Sequence, residues 1–83
     1  MRIILLGTSA CHLCEQANEI LATLLLQYPK LKLELVDIAE ESQWQARYAV
    51  KIPVLYHPDS QHELGWPFNE QDVTHFINQL NHD

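Results

Sequence analysis

Hydrophobic positions along the chain change rhythm several times, and each rhythm predicts an element. Ile3-Ile4-Leu5-Leu6 is an unbroken apolar run closed by Gly7, the pattern of a strand covered on both faces. Thr8-Ser9-Ala10 interrupts it with two hydroxyls able to cap a helix. Leu13, Ala17, Ile20, Leu21, Leu24 and Leu25 then recur at spacings of three and four, with Glu15, Gln16, Asn18, Glu19 and Thr23 largely between them. That spacing predicts an amphipathic helix over about 11–27, with Pro29 just past its end.

Leu31, Leu33 and Leu35 alternate with Lys32 and Glu34, and Val36 extends the run, so a second strand is expected up to Asp37. Glu40, Glu41 and Ser42 open a short helix reaching about Ala49, with acidic side chains at its positive end. Trp44 and Tyr48 share one face of it. Ile52-Pro53-Val54-Leu55-Tyr56 reads as a third strand, Pro58-Asp59-Ser60 as a turn, and Gln61 to Leu64 as a short fourth strand. Asn69 with Asp72 marks the cap of a last helix whose buried stripe is Val73, Phe76, Ile77 and Leu80. The order β-α-β-α-β-β-α implies a right-handed parallel crossover followed by a hairpin. The expected class is α/β: a four-stranded mixed sheet with helices on both faces.

A length of 83 residues predicts a single domain spanning 1–83, with a modest core. The composition, 47% apolar and 19% charged, is that of an ordinary globular chain. A formal charge of −6 with only five Lys and Arg argues against nucleic acid as a partner, because phosphates need a basic face. No run is long enough to span a membrane, and the apolar start is too short for a secretory leader. Two cysteines are too few for a secreted disulfide scaffold. Bridged at so short a spacing, they remove little chain entropy, so a structural staple is not expected either. A cytoplasmic setting, where thiols stay reducible, follows as the expectation.

The candidate chemistry is Cys11-His12-Leu13-Cys14, the only two cysteines, at the start of the first helix. Unpaired backbone N–H groups and the helix dipole favour an anion there. Cys11 is therefore the expected nucleophile, since the thiolate is the attacking form. Cys14, nearly one turn further in, is placed to resolve a mixed disulfide. His12 either stabilises that thiolate when protonated or is an exposed helix residue. The alternatives are an inert pair or a metal or iron–sulfur site bridging two chains through Cys11. A metal site would want further ligands nearby; His12 alone is near, while His57, His62, His75 and His82 are distant in sequence. No metal is expected.

Cys11-His12-Leu13-Cys14, Ile52-Pro53-Val54-Leu55 and Trp66-Pro67-Phe68, in this order, resemble the glutaredoxin-like branch of the thioredoxin superfamily. The resemblance covers essentially the whole chain. It implies a thioredoxin-like (glutaredoxin-like) fold and a thiol–disulfide oxidoreductase reducing protein or mixed disulfides, contributing to redox homeostasis. It implies a cis Pro53 facing the disulfide, with the Ile52 backbone free to pair with an extended substrate. Leu13 and Trp66 would join His12, Ile52 and Pro53 in the substrate contact. No organic cofactor is implied. Partners would be a disulfide-bearing protein or glutathione mixed disulfide, with glutathione or a reductase as electron donor. Two departures bear on glutathione. Thr8 stands where glutaredoxins carry lysine. Gly65-Trp66-Pro67-Phe68-Asn69 replaces their Gly-Gly-x-Asp turn, and Pro67 has no N–H to offer a carboxylate. A thioredoxin fold that binds an extended segment without turnover is the remaining alternative.

Overall fold

The sheet is built around two strands that are covered on both faces. The structure, a computed structural model, describes residues 1–80; His82 lies outside the described residues. In chain order the elements are β1 (Arg2–Gly7), α1 (His12–Leu25), β2 (Lys32–Asp37), α2 (Ser42–Tyr48), β3 (Val54–His57), β4 (His62–Gly65) and α3 (Glu70–Leu80). The strand order is β2-β1-β3-β4. β1 runs parallel to β2 and antiparallel to β3, and β3 runs antiparallel to β4. The mixed sheet expected from the hydrophobic pattern is therefore present, with continuous apolar runs in its two central strands.

The alternation of side chains along those strands feeds two separate cores. On one face Ile3, Leu5 and Leu55 meet Ala17, Leu21 and Leu24 of α1 and Val73, Phe76 and Ile77 of α3. On the other, Ile4, Leu6, Val54 and Tyr56 meet Ile38 and Tyr48. Full burial of one such side chain contributes roughly 1.5–3 kcal/mol, so both layers matter to a chain this short. Trp44 meets Tyr56 edge-on at 5.3 Å between ring centroids, a favoured aromatic geometry. Tyr48 donates a hydrogen bond to Glu63 Oε1 at 3.0 Å, tying α2 to β4. Burial, then the bond to the Glu63 carboxylate and its charge, raise the Tyr48 phenol above its ordinary value.

The ends of several elements differ from the sequence expectation, each for a local reason. α1 stops at Leu25 because Gln27 and Tyr28 bond to the carbonyls of Leu24 and Leu25, three residues back, tightening the turn before Pro29. An unforeseen 3₁₀ turn spans Ile38–Glu40, where the Asp37 carboxylate accepts from the Ala39 N–H at 2.9 Å. α2 consequently begins at Ser42, not at the preceding acidic pair. The β3 ladder begins at Val54 because Pro53 has no N–H to contribute. The expected cap of α3 is reciprocal: Asp72 N–H bonds to Asn69 Oδ1 at 2.8 Å and Asn69 N–H to Asp72 Oδ2 at 3.0 Å.

The β3–β4 hairpin closes through a side-chain network. His57 Nδ1 accepts from the Ser60 N–H at 3.3 Å and lies 2.6 Å from Ser60 Oγ, which in turn accepts from the His62 N–H at 3.3 Å. The turn requires a left-handed backbone at Gln61, whose φ is 64°. A residue with a Cβ is disfavoured there, whereas glycine is not. Gln61→Gly is expected to stabilise the fold by about 0.5–1 kcal/mol, after the entropy that glycine loses on folding. A denaturation midpoint unchanged or lowered at constant slope would contradict this.

Candidate functional site

Cys11 is the N-cap of α1. Its backbone is extended (φ −92°, ψ 109°) while the next residue is already helical, so its sulfur faces the open N–H groups of the first turn. Cys11 Sγ accepts from the Cys14 N–H at 3.1 Å. A sulfur held in that position has a fixed donor that stabilises negative charge when its covalent partner leaves. Cys11 and Cys14 are joined in a disulfide, with Cα atoms 5.1 Å apart. Exposure is unequal: Cys11 is half-buried, whereas Cys14 is 7% exposed. Cys11 is the cysteine more open to solvent.

Cys14 is buried because the end of β1 admits it. A Cβ built on Gly7 would lie 2.8 Å from Cys14 Sγ and 3.1 Å from Cys14 Cβ. The glycine that closes the first apolar run is therefore required by the close approach of the second cysteine. In sequence Gly7 reads only as a strand end; its position four residues before Cys11 is the one available signal.

The remaining sequence-predicted residues fall into two groups. The register brings Gly7, Pro53 and Trp66 toward one end of the sheet. Leu6 pairs with Val54 and Val54 with Gly65, so the next positions along are Gly7, Pro53 and Trp66. Trp66 N–H donates to the Pro53 carbonyl at 3.1 Å, continuing that row. Gly7 also pairs with Asp37 on β2. The loop to Cys11 leaves from this same end. Pro53 is buried, and the Ile52–Pro53 and Trp66–Pro67 peptide bonds are both cis. Ile52 is half-buried and packs against the core on the α2 side. Trp66 is half-buried and meets Phe68 edge-on at 5.0 Å, with Phe68 itself in the core.

His12 and Leu13 form the second group, on the exposed side of the first turn of α1. His12 Nδ1 lies 3.8 Å from Glu15 Oε2, with both side chains largely in solvent, and its Nε2 is 3.2 Å from Gln16 Nε2. Its observed partners are thus on the helix surface and not at the sulfurs. Leu13 is 42% exposed, an apolar side chain left uncovered beside Cys11. Among the described residues, no three His, Cys, Asp or Glu side chains come together as metal ligands. A metal held at Cys11 would need ligands from outside this set.

The parallel-plus-antiparallel sheet, the two helical layers and the Cys11–Cys14 disulfide at the helix start define a thioredoxin-fold protein of redox type. Residues 2–78 match the glutaredoxin-like domain (DUF836), and the chain belongs to that family. It is similar to the X-ray structure of XcR50 from X. campestris, with 28% identity, TM-score 0.76, and coverage of 93% of this chain and 96% of that one. Thioredoxin 1 from Thermosipho africanus TCF52B shares the fold at 17% identity and TM-score 0.74, over 99% of this chain and 96% of that one. Oxidized thioredoxin O2 from Arabidopsis thaliana does so at 19% identity and TM-score 0.71, over 95% and 73%. No functionally curated protein matches the chain.

Gly7→Ala is expected to drive Cys14 out of place and destabilise the oxidised protein by about 1–3 kcal/mol, the range for overpacking a tight site. Denaturation of the oxidised form and a thiol count after mild oxidation would check it. A variant as stable and as readily oxidised as the parent would show that Cys14 has room to move.

Proposed function

We propose that this chain is a dithiol thiol–disulfide oxidoreductase acting on protein or mixed disulfides. The observation that carries the reading is the asymmetry of the pair: Cys11, half-buried at the helix cap, accepts the Cys14 N–H, while Cys14 is buried behind it. In the reduced form the Cys11 thiolate attacks one sulfur of a substrate disulfide. The Cys11–substrate bond forms, the substrate S–S bond breaks, and one substrate sulfur leaves as thiolate. Cys14 then loses its proton to solvent and attacks Cys11. The Cys11–Cys14 bond closes and the second substrate sulfur leaves, so two electrons have passed to the substrate. Pro53, itself buried, sets the half-buried Ile52 backbone as the edge for an extended substrate, with Leu13 and Trp66 as apolar contacts. His12, on the exposed side of the first turn of α1, meets the substrate from the helix surface. Glutathione or a partner reductase returns the two electrons, and a reducing compartment such as the cytoplasm suits that cycle.

Insulin-disulfide reduction tests the roles. Cys11→Ser is expected to abolish turnover. Cys14→Ser is expected to accumulate a mixed disulfide on Cys11 that mass spectrometry detects. Turnover by Cys11→Ser comparable to the parent would end the proposal.

Glutathione is expected to be a poor sole donor. Thr8 places no cation before the cysteines, and Pro67 offers no N–H at the turn before α3. Reduction of a mixed disulfide with glutathione alone, compared with an ordinary dithiol glutaredoxin, measures this. Equal rates would refute it.

A further inference from the structure

A cleft of about 310 Å³ opens beside the disulfide, between the C-terminal ends of β1 and β2 and the first turns of α1. The proposed reaction makes no use of it. Cys14 forms part of its wall. Leu5, Leu35 and Val36 supply an apolar side, and two acidic residues line the rest: Glu15, whose Oε2 is 3.8 Å from His12 Nδ1, and Asp37, whose Oδ1 accepts the Ala39 N–H. No lysine or arginine is among its lining residues. Leu35 is 61% exposed on the outer strand of the sheet, so part of the apolar wall faces solvent. The whole chain carries a formal charge of −6.

We propose that this cleft receives the side chain of a lysine or arginine flanking the disulfide of a polypeptide substrate. The proposal rests on the oxidoreductase reading above. A long cationic side chain has the matching division: a methylene stem for Leu5, Leu35 and Val36, and a charged head for Glu15 and Asp37. The volume stands at the low end of small-molecule pockets, roughly 300–1,000 Å³, which suits one side chain presented by a polypeptide. The location has a chemical consequence. A docked cation lies on the side of Cys14, the sulfur that must become a thiolate to attack the Cys11–substrate disulfide. Positive charge nearby favours that ionisation. Substrates carrying the cation would then be both captured and released faster, with no change in the bonds made and broken.

The test compares two peptide disulfides that differ at one residue beside cysteine, lysine in one and norleucine in the other. Norleucine keeps the stem and removes the charge. At low salt the parent chain is expected to prefer the lysine peptide in kcat/KM by about fivefold, the scale of one partly exposed ion pair. Asp37→Asn keeps an acceptor oxygen for the Ala39 N–H and should bring the ratio close to one. Glu34→Gln makes the same charge change outside the cleft lining, and should retain the parent ratio if the effect is local and not a property of net charge. A parent ratio near one, or equal loss in both variants, overturns the proposal. Should neither peptide be reduced, the oxidoreductase reading fails by itself, and the cleft is decided by binding. In that case a cysteine-free lysine peptide is titrated into the oxidised chain and followed by NMR. Saturable shifts at the Asn18, Leu35 and Val36 amides support docking, and their absence overturns it.

Discussion

The site depends on how closely the backbone at the end of β1 lets the first turn of α1 approach. Cys14 lies where a side chain on Gly7 would stand. Everything chemical about Cys11 follows from that contact. With the second sulfur lodged against the strand, the first remains at the helix cap, where it accepts the Cys14 N–H. Core packing enforces the geometry from behind. Leu21 and Leu24 of α1 are held against Ile3 and Leu5 of the same strand that ends in Gly7. Hydrophobic burial thus fixes where the helix begins, and the position of the helix start fixes which sulfur meets solvent.

Much of this was legible in the sequence. An unbroken apolar run marks β1 as a strand covered on both faces, and spacings of three and four mark the inner faces of α1 and α3. The Asn69–Asp72 cap was visible as a residue pair at the right offset. The ends of elements were less legible, because they depend on hydrogen bonds that periodicity does not encode. Asp37 caps a 3₁₀ turn through a carboxylate that reads equally well as a strand terminator. Pro53 lies in a run that looks like strand, yet its missing N–H moves the start of the ladder to Val54.

The candidate site divides along the same line. Cys11 and Cys14 were evident from spacing alone, whereas Gly7 was not, since its importance is a distance between two elements. His12 remained open in sequence between a partner for the sulfur and a surface residue; its neighbours prove to be Glu15 and Gln16. Trp66 has two attachments at once, a backbone bond to Pro53 and an edge-on contact with Phe68. Its ring therefore helps to hold the segment before α3 in place, whatever else it meets. In sequence Asp37 reads only as a strand end and Glu15 only as a polar position of the first helix; the cleft joins them.

The placement of the two tryptophans has an optical consequence. Trp44 packs against the core beneath α2, while Trp66 packs against the core shared by α1 and α3. The sheet separates the two indoles, so each reports on one layer. With either replaced by phenylalanine, the emission of the other would follow the melting of its own side alone, making it directly observable whether the two halves of this small protein come apart together.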